Sequence, residues 1–316
     1  MSRAIFEKRW RGSCGWMLVI THGVAPRAVS SRQTVSADVV SCLGPRDRRP
    51  HRARTVPGKN RTRPHPCLKL SWSEGDPPPV SLFLIAALPF LGAVFPALLI
   101  RAGRNSCAWS AGLVTFLALL GILLHAPDVM RGDVVKAQAP WLPSLGLEAH
   151  FFLDPLGLFF ATLILGIGLL IILYARFYLS REDPMGQFYA YLLLFQGAMV
   201  GIVLSDNILL LVIFWELTSL SSFLLIGYWR HLPDGRQGAR MALAVTGGGG
   251  LALIGGMLLL GEAAGSYDLS VILQHRDQIQ ASPLYTPALI LILLGAFTKS
   301  AQFPFHFWLP HAMAAP

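Results

Sequence analysis

The stretch "ILLLVIFWELTSLSSFLLIGYW", residues 208 to 229, is apolar apart from its hydroxyl side chains, one glycine and Glu216. A helix of about 20 apolar residues is long enough to cross the hydrocarbon core of a bilayer. An ionisable side chain at the bilayer centre costs roughly 2.5–3.5 kcal/mol on insertion scales, and such residues usually mark ion or proton pathways. The stretch therefore predicts a transmembrane helix with a functional carboxylate. A carboxylate that snorkels, or that stays protonated inside a helix bundle, is the structural alternative.

The composition of the whole chain also indicates a membrane protein. Its 316 residues are 53% hydrophobic and only 14% charged, whereas a soluble domain carries about 25% charged residues. We expect an all-α bundle of about seven transmembrane helices in residues 80–316. The apolar stretches lie near residues 80–100, 108–126, 155–178, 187–204, 207–229, 239–261 and 286–308.

The net charge of +9 comes from the N-terminal segment. Residues 1–79 contain 15 Lys and Arg against 5 Asp and Glu, and the rest of the chain contains 11 against 12. This segment is rich in Arg, Ser and Pro without a helical or strand period, which is typical of disorder. A basic arm that binds acidic lipids or nucleic acid is an alternative for it. For the membrane domain we expect the lipid bilayer as a partner and no nucleic acid.

Loop charges predict how the helices are oriented. Seven arginines lie in the first, third and fifth connections, and the even-numbered connections carry only three basic residues, mixed with acids. The odd connections are therefore expected to be cytoplasmic, with the start of the first helix outside. Residues 1–79 would then place a net charge of +10 outside, so we expect that translation begins near Val80 and that the leader is not part of the mature protein. The chain stops straight after a proline-broken helix, and we interpret it as part of a longer protein.

A base in the seventh stretch is the expected partner of the acid. Glu216 lies nine residues into its stretch and Lys299 thirteen into its own, so at roughly 1.5 Å per residue their depths differ by about 6 Å. Ser219 lies at i+3 from Glu216, where its hydroxyl can reach the carboxylate. An acid and a base at similar depth predict an ion-coupled pair.

The residues that follow the lysine extend the candidate site. Lys299, Gln302, Phe303 and His306 have the spacing of one helical face. Histidine titrates near neutral pH, which suits a proton relay, although a lone histidine is more often a core residue. Pro304 cannot donate a backbone hydrogen bond, and broken helices line ion sites in transporters.

Other features have structural interpretations. Gly248, Ala252 and Gly256 recur every four residues and predict close helix packing, while "TGGGG" at 246–250 lacks the pattern of a phosphate-binding loop. Asp206 and Asn207 are expected to cap the helix that follows. The sequence contains no dinucleotide fingerprint, serine nucleophile or metal-ligand cluster, and we expect neither a cofactor nor a metal.

Three motifs carry a family resemblance. They are "FYAYLLLFQGAMVGIVLSDNILLL" (188–211), "FWELTSLSSFLLIGYW" (214–229) and "GAFTKSAQFPFHFWLPHAMAAP" (295–316). Together they resemble the large A subunit of Mrp-type multisubunit monovalent-cation/proton antiporters, which is related to the antiporter-like subunits of respiratory complex I. "AVTGGGGLALIGG" (244–256) favours the Mrp branch.

The resemblance implies inverted repeats of five helices, with a broken seventh helix, in a multi-pass protein of the prokaryotic plasma membrane. It also implies that Glu216 and Lys299 form the pair whose opening and closing moves protons, and that His306 continues the path. By the same resemblance, His311 stands where the family commonly has Asp or Asn, and a second repeat is expected beyond residue 316.

Three functions are compatible with these residues. The first is a subunit that exchanges protons for sodium or another monovalent cation, together with partner subunits. The second is a proton-pumping subunit of complex I or of a membrane-bound hydrogenase, driven by electron transfer. The third is a scaffold that does not transport, in which Glu216 only holds helices together.

Overall fold

A computed structural model describes residues 80–142, 146–180, 182–313 and 315–316. The expected disordered leader and the expected start near Val80 concern residues 1–79, which lie outside the described residues. The helices are α1 (Val80–Gly92), α2 (Val94–Leu98), α3 (Arg104–Leu124), α4 (Ala126–Arg131), α5 (Pro155–Tyr178), α6 (Met185–Leu204), α7 (Ile208–Ile226), α8 (Pro233–Ala264), α9 (Leu269–Ile272), α10 (Arg276–Ala281), α11 (Tyr285–Lys299) and α12 (Trp308–Ala312). Short 3-10 turns cover Leu99–Ala102 and Phe305–Phe307, and two strands, β1 (Val135–Leu142) and β2 (Leu147–Leu153), form a hairpin.

The expected all-α membrane bundle is confirmed, with five long spans. In the described part of the chain, α3 (continuing into α4), α5, α6, α7 and α8 are long and apolar enough to cross a membrane. The first and seventh expected spans are shorter apolar helices, Leu82–Leu98 and Tyr285–Lys299. In the first, Pro96 has no N–H to donate to the carbonyl of Gly92, and α1 ends at that glycine.

The helix α6 lies at the centre of the bundle. In an apolar stretch of 18 residues of α6, 61% is buried inside the bundle, against 28–33% in the corresponding stretches of the other four long helices. Within this apolar core, the hydroxyl of Thr115 on α3 donates a 2.9 Å hydrogen bond to the side-chain carbonyl of Gln196 on α6. Because a buried polar group needs a partner, this bond also helps to set how α3 and α6 are aligned.

The hairpin is an element that the sequence analysis did not predict. Residues 127–154 were expected to form a connection, but β1 and β2 pair in antiparallel register from Val135 opposite Leu153 to Ala139 opposite Ala149. Two isolated β-bridges adjoin the hairpin: Phe151 pairs with Ser205, and Asn207 pairs with Asp268. We refer to the hairpin together with these bridges as the rim. The predicted cap is confirmed at Asn207, whose Oδ1 accepts from the amides of Leu209 and Leu210.

Asp206 does not cap α7. Its two carboxylate oxygens accept from the amide and the hydroxyl of Ser270, at 3.0 and 2.8 Å. The residue instead ties the entrance of α7 to the start of α9.

Candidate functional site

The carboxylate of Glu216 lies at the interface between α7 and α8. Its Oε1 is buried and has no hydrogen-bond partner within the described residues. Gly250 of α8 is directly opposite, and a Cβ added to that glycine would overlap Oε1. The missing side chain at Gly250 therefore makes the space that the carboxylate occupies.

Lys299 is the last residue of α11, and its ammonium group reaches across to α7. Nζ donates hydrogen bonds to the hydroxyls of Thr218 (2.6 Å) and Ser219 (2.8 Å). It also lies 3.4 Å from the carbonyl oxygen of Trp215 and 5.5 Å from the centre of the Trp215 ring. We refer to the Thr218 and Ser219 hydroxyls with the Trp215 carbonyl as the lysine cradle.

The hydroxyls of the cradle are oriented to accept a cation. Thr218 donates its own proton to the Trp215 carbonyl at 2.6 Å, and Ser219 donates to the same carbonyl at 3.5 Å. Each hydroxyl oxygen can then accept from Lys299. Both side chains are almost fully buried, so their hydrogen bonds to the ammonium are made away from bulk water.

The predicted acid and base are brought together, but they are not in an ion pair. Lys299 contacts residues on either side of Glu216, and the ion pairs found among the described residues do not include one between them. The expectation that the Ser219 hydroxyl reaches the Glu216 carboxylate is wrong, because that hydroxyl is directed to Trp215 and accepts from the lysine.

Close packing of α8 against α11 holds the lysine at this depth. Gly295 of α11 lies against Leu253 and the Gly249 carbonyl, and Gly256 of α8 lies against Ile292. The predicted packing role of the glycine run is confirmed at Gly256. Gly248 makes no such contact, because a Cβ there would meet nothing within 4 Å.

The break in the seventh span occurs at the lysine itself. The helix α11 ends at Lys299, Ala301 has a positive φ of 52°, and the chain becomes helical again only at Phe305. At this break the carbonyl of Thr298 accepts a 2.9 Å hydrogen bond from the indole N–H of Trp308 and a longer one, 3.4 Å, from the Ala301 amide. This contact of Trp308 was not expected from the sequence.

The expected helical stripe does not form, because the helix does not continue past Lys299. Gln302, Pro304 and His306 are exposed, and the His306 ring stacks on Phe303 with 5.8 Å between ring centres. Within the described residues no hydrogen bond or ion pair joins His306 to Lys299.

A second cluster of ionisable groups lies at the rim formed by the hairpin. Glu148, His150 and Asp268 each offer one possible metal-ligand atom, and these atoms lie within 4.8 Å of one another. His150 Nε2 is 2.8 Å from Glu148 and Nδ1 is 3.0 Å from Asp268. No such cluster was expected from the sequence, in which His150 and Asp268 are 118 residues apart. Glu148 and His150 have the i, i+2 spacing of one strand face, which is the only local signal.

The chain matches two family models. Residues 205–316 match one described as "NADH:quinone oxidoreductase/Mrp antiporter, TM", and residues 141–189 match one described as "NADH-Ubiquinone oxidoreductase (complex I), chain 5 N-terminus". The first match contains the whole lysine cradle, Glu216 and Lys299.

Curated relatives include large antiporter subunits. The chain is 48% identical over 240 residues to the A/B subunit of a probable K(+)/H(+) antiporter of Rhizobium meliloti (strain 1021), covering 75% of this chain and 24% of the relative. It is 46% identical over 230 residues to the A subunit of a Na(+)/H(+) antiporter of Alkalihalophilus pseudofirmus, covering 72% of this chain and 29% of the relative. The chain therefore spans less than a third of the length of these relatives.

Solved structures share the fold. The Mrp complex from Dietzia sp. DQ12-45-1b contains a chain that is 37% identical with a TM-score of 0.67, and the match covers 75% of this chain and 25% of that one. A chain of the archaeal membrane-bound sulfane sulfur reductase is 22% identical with a TM-score of 0.65, covering 75% and 48%. At 22% identity, the second match concerns the fold alone.

Proposed function

Because the chain belongs to the family of antiporter-like membrane subunits that includes the large subunit of the Mrp antiporters, we propose that it takes part in exchanging protons for sodium or another monovalent cation. In this proposal it works with partner subunits in the plasma membrane of a prokaryote. Glu216 binds and releases the transported proton. Lys299 moves towards the Glu216 carboxylate and away from it, and its positive charge favours release of the proton when the two are close.

One observation supports these roles above the others: the base lies beside the acid and is held by a different set of acceptors. The ammonium group is bound by the lysine cradle, while Glu216 Oε1 remains buried and unpartnered. A carboxylate left without its cation at low dielectric binds a proton more readily than one that is paired. In the proposal this arrangement is the state that takes up a proton, and movement of Lys299 onto Glu216 releases it.

The proposal is tested by neutralising each partner in the complete assembly. We expect Glu216→Gln and Lys299→Ala each to abolish sodium-dependent proton movement in inverted membrane vesicles, measured with a pH-sensitive dye and without NADH. Glu262→Gln, at an exposed glutamate on α8, is the matched control and should leave exchange unchanged.

The subunit composition of the variants distinguishes a loss of transport from a failure to assemble. Purified complexes of all three variants should elute with the normal set of subunits. Normal exchange in Glu216→Gln would favour the scaffold function and contradict the roles assigned here.

The redox-driven pump remains a second candidate, since one matching family model is described as complex I chain 5. Proton movement that requires a quinone-linked electron donor and does not respond to sodium would favour it. His306 as a continuation of the proton path rests on the family resemblance. His306→Ala should therefore slow exchange without affecting assembly. An unchanged rate would remove the exposed His306 ring from the proposed proton path.

A further inference from the structure

A deep apolar groove runs between α3 and α5 on the surface of the bundle. It encloses a cavity of about 560 Å³ lined almost entirely by apolar side chains. Trp109 on α3 and Phe177 on α5 flank it and are 79% and 78% exposed. Gly112 forms part of its floor, and a Cβ there would meet only Ile172, at 3.9 Å. The groove therefore has the volume and the apolar lining to hold a hydrocarbon chain.

The groove opens at one end into a polar cavity. This second cavity, of about 670 Å³, shares Asn105, Arg176 and Phe177 with the groove and adds Arg104 and Ser180 to its wall. No acidic residue lines either cavity within the described part of the chain. By the loop-charge argument this end faces the cytoplasm, at the level where lipid headgroups lie.

The two arginines there have unused hydrogen-bonding capacity. Arg104 donates from one terminal nitrogen to the carbonyl of Leu179 at 2.8 Å, but its Nε is buried without a partner. The Arg176 guanidinium lies 5.8 Å from the centre of the Phe177 ring. Neither arginine belongs to the ion pairs of the described residues. Two described acids lie on the adjoining turn. Asp183 accepts from the Ser180 amide and the Trp229 indole, and Glu182 is exposed and belongs to none of the described ion pairs.

We propose that this groove and its two arginines form a binding site for an anionic phospholipid of the cytoplasmic leaflet. One acyl chain lies between α3 and α5, and the phosphate diester accepts from Arg104 and Arg176. Guanidinium groups bind phosphate oxygens through paired N–H donors, and basic residues between transmembrane helices on the cytoplasmic side recognise anionic headgroups. A phospholipid suits both parts of the site. Its phosphate binds the two arginines, and its acyl chain places no polar group inside the apolar groove.

The site would act on the bundle through α6. Both α3 and α5 pack on this central helix, through Thr115 to Gln196 and through Ile172, whose carbonyl accepts from the hydroxyl of Tyr189. A lipid bound between α3 and α5 joins the two helices on the side that α6 does not cover. The inference does not depend on the transport function.

Lipid binding to the purified complex tests the proposal. Delipidated complex is titrated with phosphatidylglycerol and, separately, with phosphatidylcholine, and bound lipid is counted by native mass spectrometry. We expect a site with a clear preference for phosphatidylglycerol. The double variant Arg104→Gln/Arg176→Gln should lower the affinity for phosphatidylglycerol about tenfold or more, because two cations near the headgroup are lost. The matched control, Arg131→Gln/Arg276→Gln, removes two exposed arginines from the opposite predicted face and should have no effect.

A second variant keeps the charges and blocks the acyl chain. Gly112→Leu fills the floor of the groove, where the space is open, so it should lower phosphatidylglycerol binding with both arginines present. Equal affinity for the two lipids, or an equal loss in the control pair, would overturn the proposal. Absence of bound phosphatidylglycerol from the purified complex, even at saturating lipid, would also overturn it.

Discussion

At the residue scale, the proposed mechanism depends on a competition between two sets of acceptors for one ammonium group. The lysine cradle offers two hydroxyls and a carbonyl at 2.6–3.4 Å from Lys299 Nζ. Glu216 offers a full negative charge, but moving onto it requires the lysine to leave these bonds. A hydrogen bond to a charged group contributes about 1.5–3 kcal/mol. In the proposed mechanism the cradle therefore holds the lysine while the acid is protonated and uncharged, and the lysine moves when the acid is ionised.

Removing the hydroxyls tests this competition. Thr218→Val and Ser219→Ala together delete two acceptors while keeping the volume nearly constant. Lys299 should then favour Glu216, which would hold the carboxylate ionised and slow exchange by roughly 10-fold to 100-fold, given the energies of charged hydrogen bonds. The measurement is the initial rate of sodium-driven proton movement in vesicles.

Ser222→Ala is the control for the hydroxyl variants. The Ser222 hydroxyl, on the same helix, donates to the Ser219 carbonyl within its own turn. Its removal should leave the rate unchanged. An unaltered rate in the Thr218/Ser219 variant would show that the cradle does not govern the position of the lysine.

At the element scale, α8 provides the space in which the acid lies. Four consecutive glycines, Gly247 to Gly250, differ sharply in what faces them. The first two have open space around them, Gly249 lies against the Thr298 side chain, and Gly250 lies against the Glu216 carboxylate. The run is therefore both a packing surface and part of the site.

Substitutions along this run separate the two roles. Gly250→Ala places a methyl group on the carboxylate of Glu216 and should abolish exchange or reduce it severely. Gly248→Ala is the matched control on the same helix. It should leave exchange intact and stabilise the helix by up to about 1 kcal/mol, since alanine is the better helix former. Exchange rates and thermal unfolding of the two variants give the comparison, and equal activity would contradict the placement of Glu216.

The elements differ in how far the sequence could predict them. Apolar runs of about 20 residues predict spans well, because a bilayer requires internal backbone hydrogen bonds, and five of the seven were found at full length. The end of α11 at Lys299 was placed too late, because the break comes five residues before the proline that suggested it. The hairpin was missed because strand propensity in the connection at 127–154 depends on neighbours that sequence does not show.

The site itself was only partly predictable. Glu216 and Lys299 stand out because ionisable residues in apolar helices are rare. Thr218 does not stand out, because a threonine within a helix usually bonds its own backbone, as this one also does with Trp215. The Trp308 contact with Thr298 depends on the fold of the broken segment, which has no sequence pattern.

At the scale of the whole molecule, function depends on which side of the membrane each rim faces. The rim with the hairpin, His150 and Asp268 lies at one end of the long helices, and the connections with Arg104, Arg176 and Arg240 lie at the other. Basic residues near the ends of spans remain on the cytoplasmic side. The proposed phospholipid site needs the arginine-rich end to be cytoplasmic.

Cysteine labelling of intact cells measures this orientation directly. All four native cysteines, including the buried Cys107, are first replaced by serine, and single cysteines are introduced at Gln237 and Gln274, which are both exposed. A membrane-impermeant maleimide added outside should label the protein with Gln274→Cys and leave that with Gln237→Cys unlabelled until the cells are opened. The reverse labelling result would show that the bundle has the opposite orientation. The arginines of the groove would then lie at the outer leaflet, which would contradict the cytoplasmic lipid site. Retained sodium-driven exchange in the cysteine-free protein is the check that the substitutions have not altered the fold.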